Sequence, residues 1–254
     1  MRWLTIIVAG LAALYGGYWF YTRGAVEDAI TEALAEAEAT GRVEISHSGW
    51  ATAGFPSRFD TTFDDLRIED PATGLAWQAP WFQIFALSYR PNEVIAVWPE
   101  TQTLVVDGHE MALSTARMRA SARVRTNAAL SFHRATLEVD APRLQGLADG
   151  AELAMARLLA AMRAAPDVAN GYDVFAEAQS VVLPAGWREV LDPEGGLPPV
   201  IRQMRVDATA RFDQPLDRFA GGATPVGVES VSVREFGAHW GDMAVSVIGD
   251  VTAD

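Results

Sequence analysis

The sequence predicts a β-rich α+β protein, in which an N-terminal transmembrane helix precedes a large, curved, mostly antiparallel sheet with one or two packed helices. Three observations predict this class: one uncharged apolar run near the start, strand-like alternation through most of the remainder, and helical periodicity in only two further stretches. The chain has 254 residues, 50% of them hydrophobic and 21% charged, so it is long enough to bury a core.

The apolar run covers residues 3–21, WLTIIVAGLAALYGGYWFY, and contains no charge. At ~1.5 Å per residue it matches a hydrocarbon core of ~30 Å. Bulky aromatics at its far end are typical of a membrane interface rather than of a signal-peptide cleavage site. We therefore predict an uncleaved single-pass anchor over residues 1–23 with an exported body; a cleaved signal peptide and a buried core helix remain the alternatives.

Two further stretches have helical periodicity. Residues 24–41 predict a juxtamembrane helix that ends at Gly41 and either continues the membrane helix or packs on the body. A second helix is predicted from Asp149 to Pro166, with apolar residues at helical spacing. Those residues are Ala151, Met155, Leu158, Leu159 and Met162.

The remaining body, residues 42–254, is predicted to be mainly strands separated by Gly- and Pro-rich turns. The predicted strands are 58–69, 77–89, 94–98, 102–106, 109–125, 130–139, 172–183, 202–212 and 243–253. Alternation continues to the last residues, which predicts further strands beyond Asp254; a terminal edge strand is the simpler alternative.

The strands between residues 77 and 98 are apolar on both parities. Such a strand is either central in a layered fold or lines an apolar ligand site. We take it as a candidate groove for lipid or another hydrophobic ligand, with ordinary core as the alternative. The candidate residues are Trp81, Phe85 and Leu87 on one parity and Phe82 and Ile84 on the other.

A row of arginines is the clearest charged pattern. Arg117, Arg119, Arg123 and Arg125 share one parity, which spreads four guanidiniums over about 27 Å of strand at ~3.3 Å per residue. Such a row is suited to lipid phosphates or an acidic partner. The alternative is a solvated face that pairs with carboxylates on neighbouring strands.

Several functional classes are disfavoured. The net charge of −13 opposes binding to nucleic acid. The absence of cysteine excludes disulfides and thiolate chemistry, and all 20 basic residues are arginine, which excludes a Schiff-base lysine. The four histidines lack metal-ligand spacing, and no catalytic motif is present. We predict a non-enzymatic protein without metal or cofactor, with an enzyme whose site assembles from scattered residues as the remaining alternative.

Two motifs carry a family resemblance: the corner at Phe55-Pro56 followed by the strand from Phe59 to Ile68, and the ladder from Trp240 to Val251. With the N-terminal span, they resemble the bacterial domain-of-unknown-function family 2125. The resemblance covers most of residues 3–254 and implies no catalytic residues. The ladders are also similar to those of AsmA-like envelope proteins, which implies, by analogy of fold alone, a membrane-anchored, lipid-organising protein.

These inferences together predict a protein of the bacterial inner membrane, inserted through residues 3–21, with its body in the periplasm. The expected partner is a lipid or another hydrophobic ligand. The alternative is a scaffold or assembly factor for an envelope protein complex, which would bind its protein partner through residues 153–162 or through the arginine row.

Overall fold

A computed structural model describes residues 2–39, 41, 43–146, 150–220 and 226–252. The helices are α1 (Arg2–Ala39) and α2 (Ala185–Leu191). The strands are β1 (Glu44–Ser46), β2 (Gly49–Ala53), β3 (Arg58–Asp70), β4 (Leu75–Leu87), β5 (Arg90–Trp98), β6 (Thr101–Val106), β7 (His109–Ser114), β8 (Arg117–Val124), β9 (Phe132–Asp140), β10 (Arg143–Gly146), β11 (Glu152–Ala154), β12 (Arg157–Ala164), β13 (Gly171–Val181), β14 (Ile201–Phe212), β15 (Val228–Trp240) and β16 (Met243–Thr252). The predicted fold class is confirmed.

All described strands belong to one antiparallel sheet. Its main part has the order β3-β4-β5-β8-β9-β12-β13-β14-β15-β16, with β1 and β2 paired to the outer edge of β3. A smaller part, β6-β7-β10-β11, branches from the first half of β4. Neighbours in the sheet are mostly segments that follow one another along the chain, joined by short turns except for the longer connections on either side of β14.

Two-residue breaks separate the strands of the small part from those of the main part. They lie at residues 99–100 between β5 and β6, 115–116 between β7 and β8, 141–142 between β9 and β10, and 155–156 between β11 and β12. Pro99 and Pro142 account for two of them, since proline cannot donate to a ladder. Backbone bonds join these breaks, such as the Thr115 amide to the Glu100 carbonyl at 2.8 Å. The strand predicted over 109–125 is therefore two strands, β7 and β8.

The small part turns back over one end of the main part. Leu153 and Met155, at β11, pack against a buried cluster of Val181, Ile201 and Trp240. The backbones of Ala154 and Val182 exchange two hydrogen bonds, of 3.1 and 2.8 Å. The indole N–H of Trp240 donates to the Pro198 carbonyl at 2.7 Å. This end of the sheet consequently holds a buried apolar cluster, while other buried apolar residues lie on β3 and β4, such as Phe59, Leu66 and Ala79.

The helix predicted between Asp149 and Pro166 was wrong. Asp149 lies outside the described residues, and the rest forms β11 and β12. Strand β12 is central, paired to β9 on one side and β13 on the other. Its leucines, alanines and methionine favour helix by propensity, but strand pairing along both edges overrides that preference.

Helix α1 runs without a break from the apolar run into the helical segment predicted over residues 24–41 and ends at Ala39. Its apolar first part is largely exposed, whereas Trp19 is only 2% exposed and docks on the start of β3. The Trp19 indole N–H donates to the Arg58 carbonyl at 2.9 Å, and its ring stacks on Phe59 with centroids 5.7 Å apart. The docking point is the corner after Gly54, whose φ of 102° suits glycine.

Helix α2 was missed by sequence patterns. It is one of two described helices, begins after Pro184 and ends at the Asp192-Pro193 step. Two prolines mark these boundaries in the sequence: Pro184 lies before a short run of helix formers, and Pro193 lies after it.

Candidate functional site

One face of the main sheet is apolar from β4 to β16, and the residue opposite Ile84 on β3 is the polar Thr61. Its central row crosses nine strands through directly opposed residues, all of them apolar. The row is Ile84, Ala96, Ala120, Leu137, Ala160, Ala176, Val206, Phe236 and Val247. Opposed residues in a sheet share a face, so the row is a continuous apolar band about 38 Å long at ~4.8 Å per strand.

The two adjoining rows are also apolar. One comprises Phe82, Trp98, Met118, Val139, Leu158, Ala178, Met204, Ala238 and Val245. The other comprises Ala86, Val94, Ala122, Ala135, Met162, Val174, Ala208 and Val233. We call the three rows together the apolar strip.

The apolar strip is covered only in part. From Ile84 to Val206 the central row is half-buried, and Phe236 and Val247 are exposed by 44% and 52%. The small part of the sheet covers the end near Met118, where the Gln102 amide lies 3.5 Å from the Met118 sulfur. An apolar surface this extensive on a soluble protein commonly marks a site for another molecule.

A bulge preserves the strip where β14 meets β15. Asp207 lies opposite Glu235 and Ala208 opposite Val233, which leaves Arg234 as an extra residue. Arg234 and Glu235 both contact the opposite face, through Asp207 and Arg205 respectively. Val233 and Phe236 therefore stay on the strip, and their three-residue spacing in the sequence is the signal of this bulge.

The five residues predicted to line a groove divide between two faces. Phe82 and Ile84 lie on the apolar strip, and the Phe82 ring is 5.1 Å from that of Trp98. Trp81, Phe85 and Leu87 lie on the opposite face, where they oppose Asp64, Asp60 and Arg58 on β3. The structure thus brings Phe82 and Ile84 together with the strip and separates them from the other three.

The opposite face, which we call the charged face, carries the predicted arginine row on β8. Arg117 pairs with Asp140 at 2.7 Å, Arg119 with Glu138 at 2.7 Å and Arg123 with Glu93 at 3.3 Å. These are the cross-strand pairs that the solvated-face alternative expects. Among the described residues, no carboxylate lies within ion-pair distance of Arg125.

Two adjoining cavities lie at the Arg123 end of this face. One, of about 480 Å³, is lined by Phe85, Leu87 and Ile95 together with arginine side chains. The other, of about 600 Å³, is mainly polar, and the two share Glu93 and Arg123. Sequence patterns missed three of their arginines, Arg58, Arg90 and Arg134, because they lie on different strands and only the pairing register brings them together.

Hydrogen bonds hold carboxylates of the charged face in their ionised form. The guanidinium of Arg119 lowers the pKa of Glu138, and the amide of Gln179 lowers that of Glu177, against a smaller opposing effect of burial. At Asp173 burial raises the pKa, but bonds from Thr209, Arg163 and Arg234 outweigh it, so the pKa falls below its ordinary value. Within the described residues, no group of His, Cys, Asp and Glu is arranged to hold a metal ion.

The fold and its two faces define a class: a β-rich protein with an open antiparallel sheet behind an N-terminal helix that is long and apolar enough to cross a membrane. The chain belongs to the family described as uncharacterized proteins conserved in bacteria, DUF2125, whose model matches residues 19–254. The resemblance inferred from the two sequence motifs is thereby confirmed. Neither the curated proteins nor the solved structures contain a match to the chain.

Proposed function

We propose that this protein is a non-enzymatic, membrane-anchored protein of the bacterial inner membrane, whose periplasmic body holds lipid acyl chains along the apolar strip. The observation that carries the proposal is the central row, in which nine successive strands present an apolar residue to a face that the rest of the fold covers only in part. Acyl chains would bury this surface without requiring any hydrogen bond from it.

The N-terminal helix supports the placement in a membrane. Its apolar part is largely exposed, as expected of a helix surrounded by lipid rather than by protein. Arg2 precedes the span, whereas Arg23 is paired with Glu27 at 2.8 Å. The positive-inside rule then favours a cytoplasmic N-terminus and a periplasmic body.

The experiment compares two leucines on neighbouring strands. Leu137 lies on the apolar strip and Leu159 on the charged face, and both are half-buried. Full-length protein is extracted in mild non-ionic detergent, and the bound phospholipid is quantified by native mass spectrometry. We expect Leu137→Asn to lower the retained lipid several-fold and Leu159→Asn to leave it unchanged, with both variants folded by circular dichroism.

Equal retention of phospholipid by the two variants, or a wild-type chain that carries no lipid, would contradict the proposal.

Strand β16 supports a second candidate function, a scaffold for an envelope protein complex. Every residue of β16 is exposed, and within the described chain only β15 pairs with it. An edge of this kind can receive a strand from another protein. A photo-crosslinker at Val247 that captures one stoichiometric protein from cells would favour that candidate.

A further inference from the structure

The two cavities at the Arg123 end of the charged face gather five arginine side chains. Arg58, Arg123 and Arg134 line the first cavity, and Arg90, Arg123 and Arg125 line the second. We call these five residues the arginine site. The chain carries a net charge of −13, so five arginines around two adjoining cavities form a local reversal of sign.

Carboxylates neutralise only part of the arginine site. Arg58 pairs with Asp60 at 2.8 Å and Arg123 with Glu93 at 3.3 Å. Within the described residues, no carboxylate pairs with Arg90, Arg125 or Arg134.

Arg134 is also flanked by like charge. It lies directly opposite Arg123 on one neighbouring strand and opposite Arg163 on the other. Adjacent like charges destabilise a sheet unless an anion binds between them. The arrangement therefore points to an anionic ligand, with Arg134 available in the first cavity and Arg90 and Arg125 in the second.

The first cavity adds an apolar component. Phe85, Leu87 and Ile95 form its apolar wall, and Ile95 is 48% exposed. The Arg58 guanidinium lies over the Phe85 ring, 5.9 Å from its centroid. A ligand that fills both cavities needs an anionic group next to a hydrocarbon segment, which describes an amphiphile rather than a free inorganic ion.

Helix α1 places this site at the level of the bilayer surface. The turn between Leu87 and Arg90 is fixed to the helix, since Tyr15 bonds the Ser88 hydroxyl at 3.0 Å and Tyr18 donates to the Ser88 carbonyl at 3.1 Å. Residues 3–14, which precede these contacts, rise only about 18 Å at ~1.5 Å per residue, short of a ~30 Å hydrocarbon core. A bilayer that α1 spans must therefore extend to the docked turn, where Tyr89 is 65% exposed.

We infer that the arginine site binds the headgroup of an anionic phospholipid from the leaflet that faces the body, with the first acyl carbons against Phe85, Leu87 and Ile95. The inference rests on the membrane anchoring proposed above, but it uses the face opposite the apolar strip. Guanidiniums suit a phosphodiester because they donate paired hydrogen bonds to its oxygens.

The test measures headgroup preference. Full-length protein in non-ionic detergent is mixed with equal amounts of dioleoyl phosphatidylglycerol and dioleoyl phosphatidylcholine, and native mass spectrometry gives the ratio of the two lipids bound. We expect the wild type to favour phosphatidylglycerol by about tenfold, because only that lipid lacks a cation of its own. Arg125→Gln/Arg134→Gln should bring the ratio close to unity.

The matched control is Arg157→Gln/Arg202→Gln, which removes the same charge from exposed positions outside both cavities. It should keep the wild-type ratio, and Leu137→Asn should also keep it while losing total lipid. A ratio near unity in the wild type, or an equal loss in both arginine pairs, would overturn the inference while leaving the strip untouched. Displacement of phosphatidylglycerol by inorganic phosphate at constant ionic strength would also overturn it, in favour of a free-phosphate site.

Discussion

Asp173 is the residue on which several strands of the charged face converge. Its carboxylate accepts from Thr209 on β14 at 2.9 Å, pairs with Arg163 on β12 at 3.1 Å and with Arg234 on β15 at 3.2 Å. The side chain is only 18% exposed, so solvent screens these contacts less than those of the outer pairs. One carboxylate on β13 thus ties together neighbouring strands that are separated in sequence.

Replacing Asp173 with asparagine tests that role. We expect Asp173→Asn to lower the free energy of unfolding at pH 7 by about 1–3 kcal/mol, because Arg163 and Arg234 lose a charged acceptor. The lowered pKa of Asp173 means that its stabilisation is present above the ordinary carboxyl pKa and is lost as the pH falls through the folded value.

The measurement is thermal unfolding of both proteins between pH 7 and pH 3. The gap between wild type and Asp173→Asn should close toward the acidic end, below about pH 4. Asp167→Asn is the control, since Asp167 is exposed in the turn before β13. A gap that stays constant with pH would show that the carboxylate acts by packing and not by charge.

At the scale of elements, the alternation of apolar and polar residues predicted the bounds of single strands but not which strands pair with each other. The bounds of β14 agree with the predicted 202–212 to within one residue, because its apolar and polar residues alternate without interruption. The arginine site depends on the neighbouring strands β3, β4, β5, β8 and β9, whose order is a property of the pairing and not of any single strand. The parity of Arg123 was therefore predictable from sequence, whereas its position opposite Arg134 was not.

Helix α1 illustrates the same limit, because the sequence showed the length of its apolar run but not its docking on β3.

Trp19 supplies the docking contacts, so we expect Trp19→Ala to lower the free energy of unfolding by up to about 3–5 kcal/mol, the range for large aromatic residues in cores. Thermal unfolding of full-length protein in detergent measures this loss. Trp3→Ala is the matched control, since Trp3 is 80% exposed on the same helix. Identical melting temperatures for the two variants would argue that the helix does not support the body.

At the scale of the whole molecule, the fold separates an apolar face from a charged face over most of one sheet. A typical soluble antiparallel sheet buries its apolar face beneath a second layer. Here the small part of the sheet covers one side of the strip, near Met118, Ala178 and Met204, and the docked end of α1 covers its start, near Phe59. The open middle of the apolar strip is the feature that the lipid proposal explains.

The absence of cysteine in the sequence makes the open middle directly testable by single-cysteine labelling. Ala160 lies on the apolar strip and Ala161, its neighbour, on the charged face, and both are half-buried. We expect Ala160→Cys and Ala161→Cys to react with a small maleimide in detergent, whereas Val181→Cys, at a site that is 1% exposed, should react at least about tenfold more slowly. Reconstitution with phospholipid should then slow the labelling of Ala160→Cys several-fold and leave Ala161→Cys nearly unchanged, because Ala161 lies off the strip and lines neither cavity of the arginine site. Equal protection at both positions would mean that lipid does not distinguish the two faces, and a slow reaction of Ala160→Cys before lipid is added would mean that another layer already covers the strip.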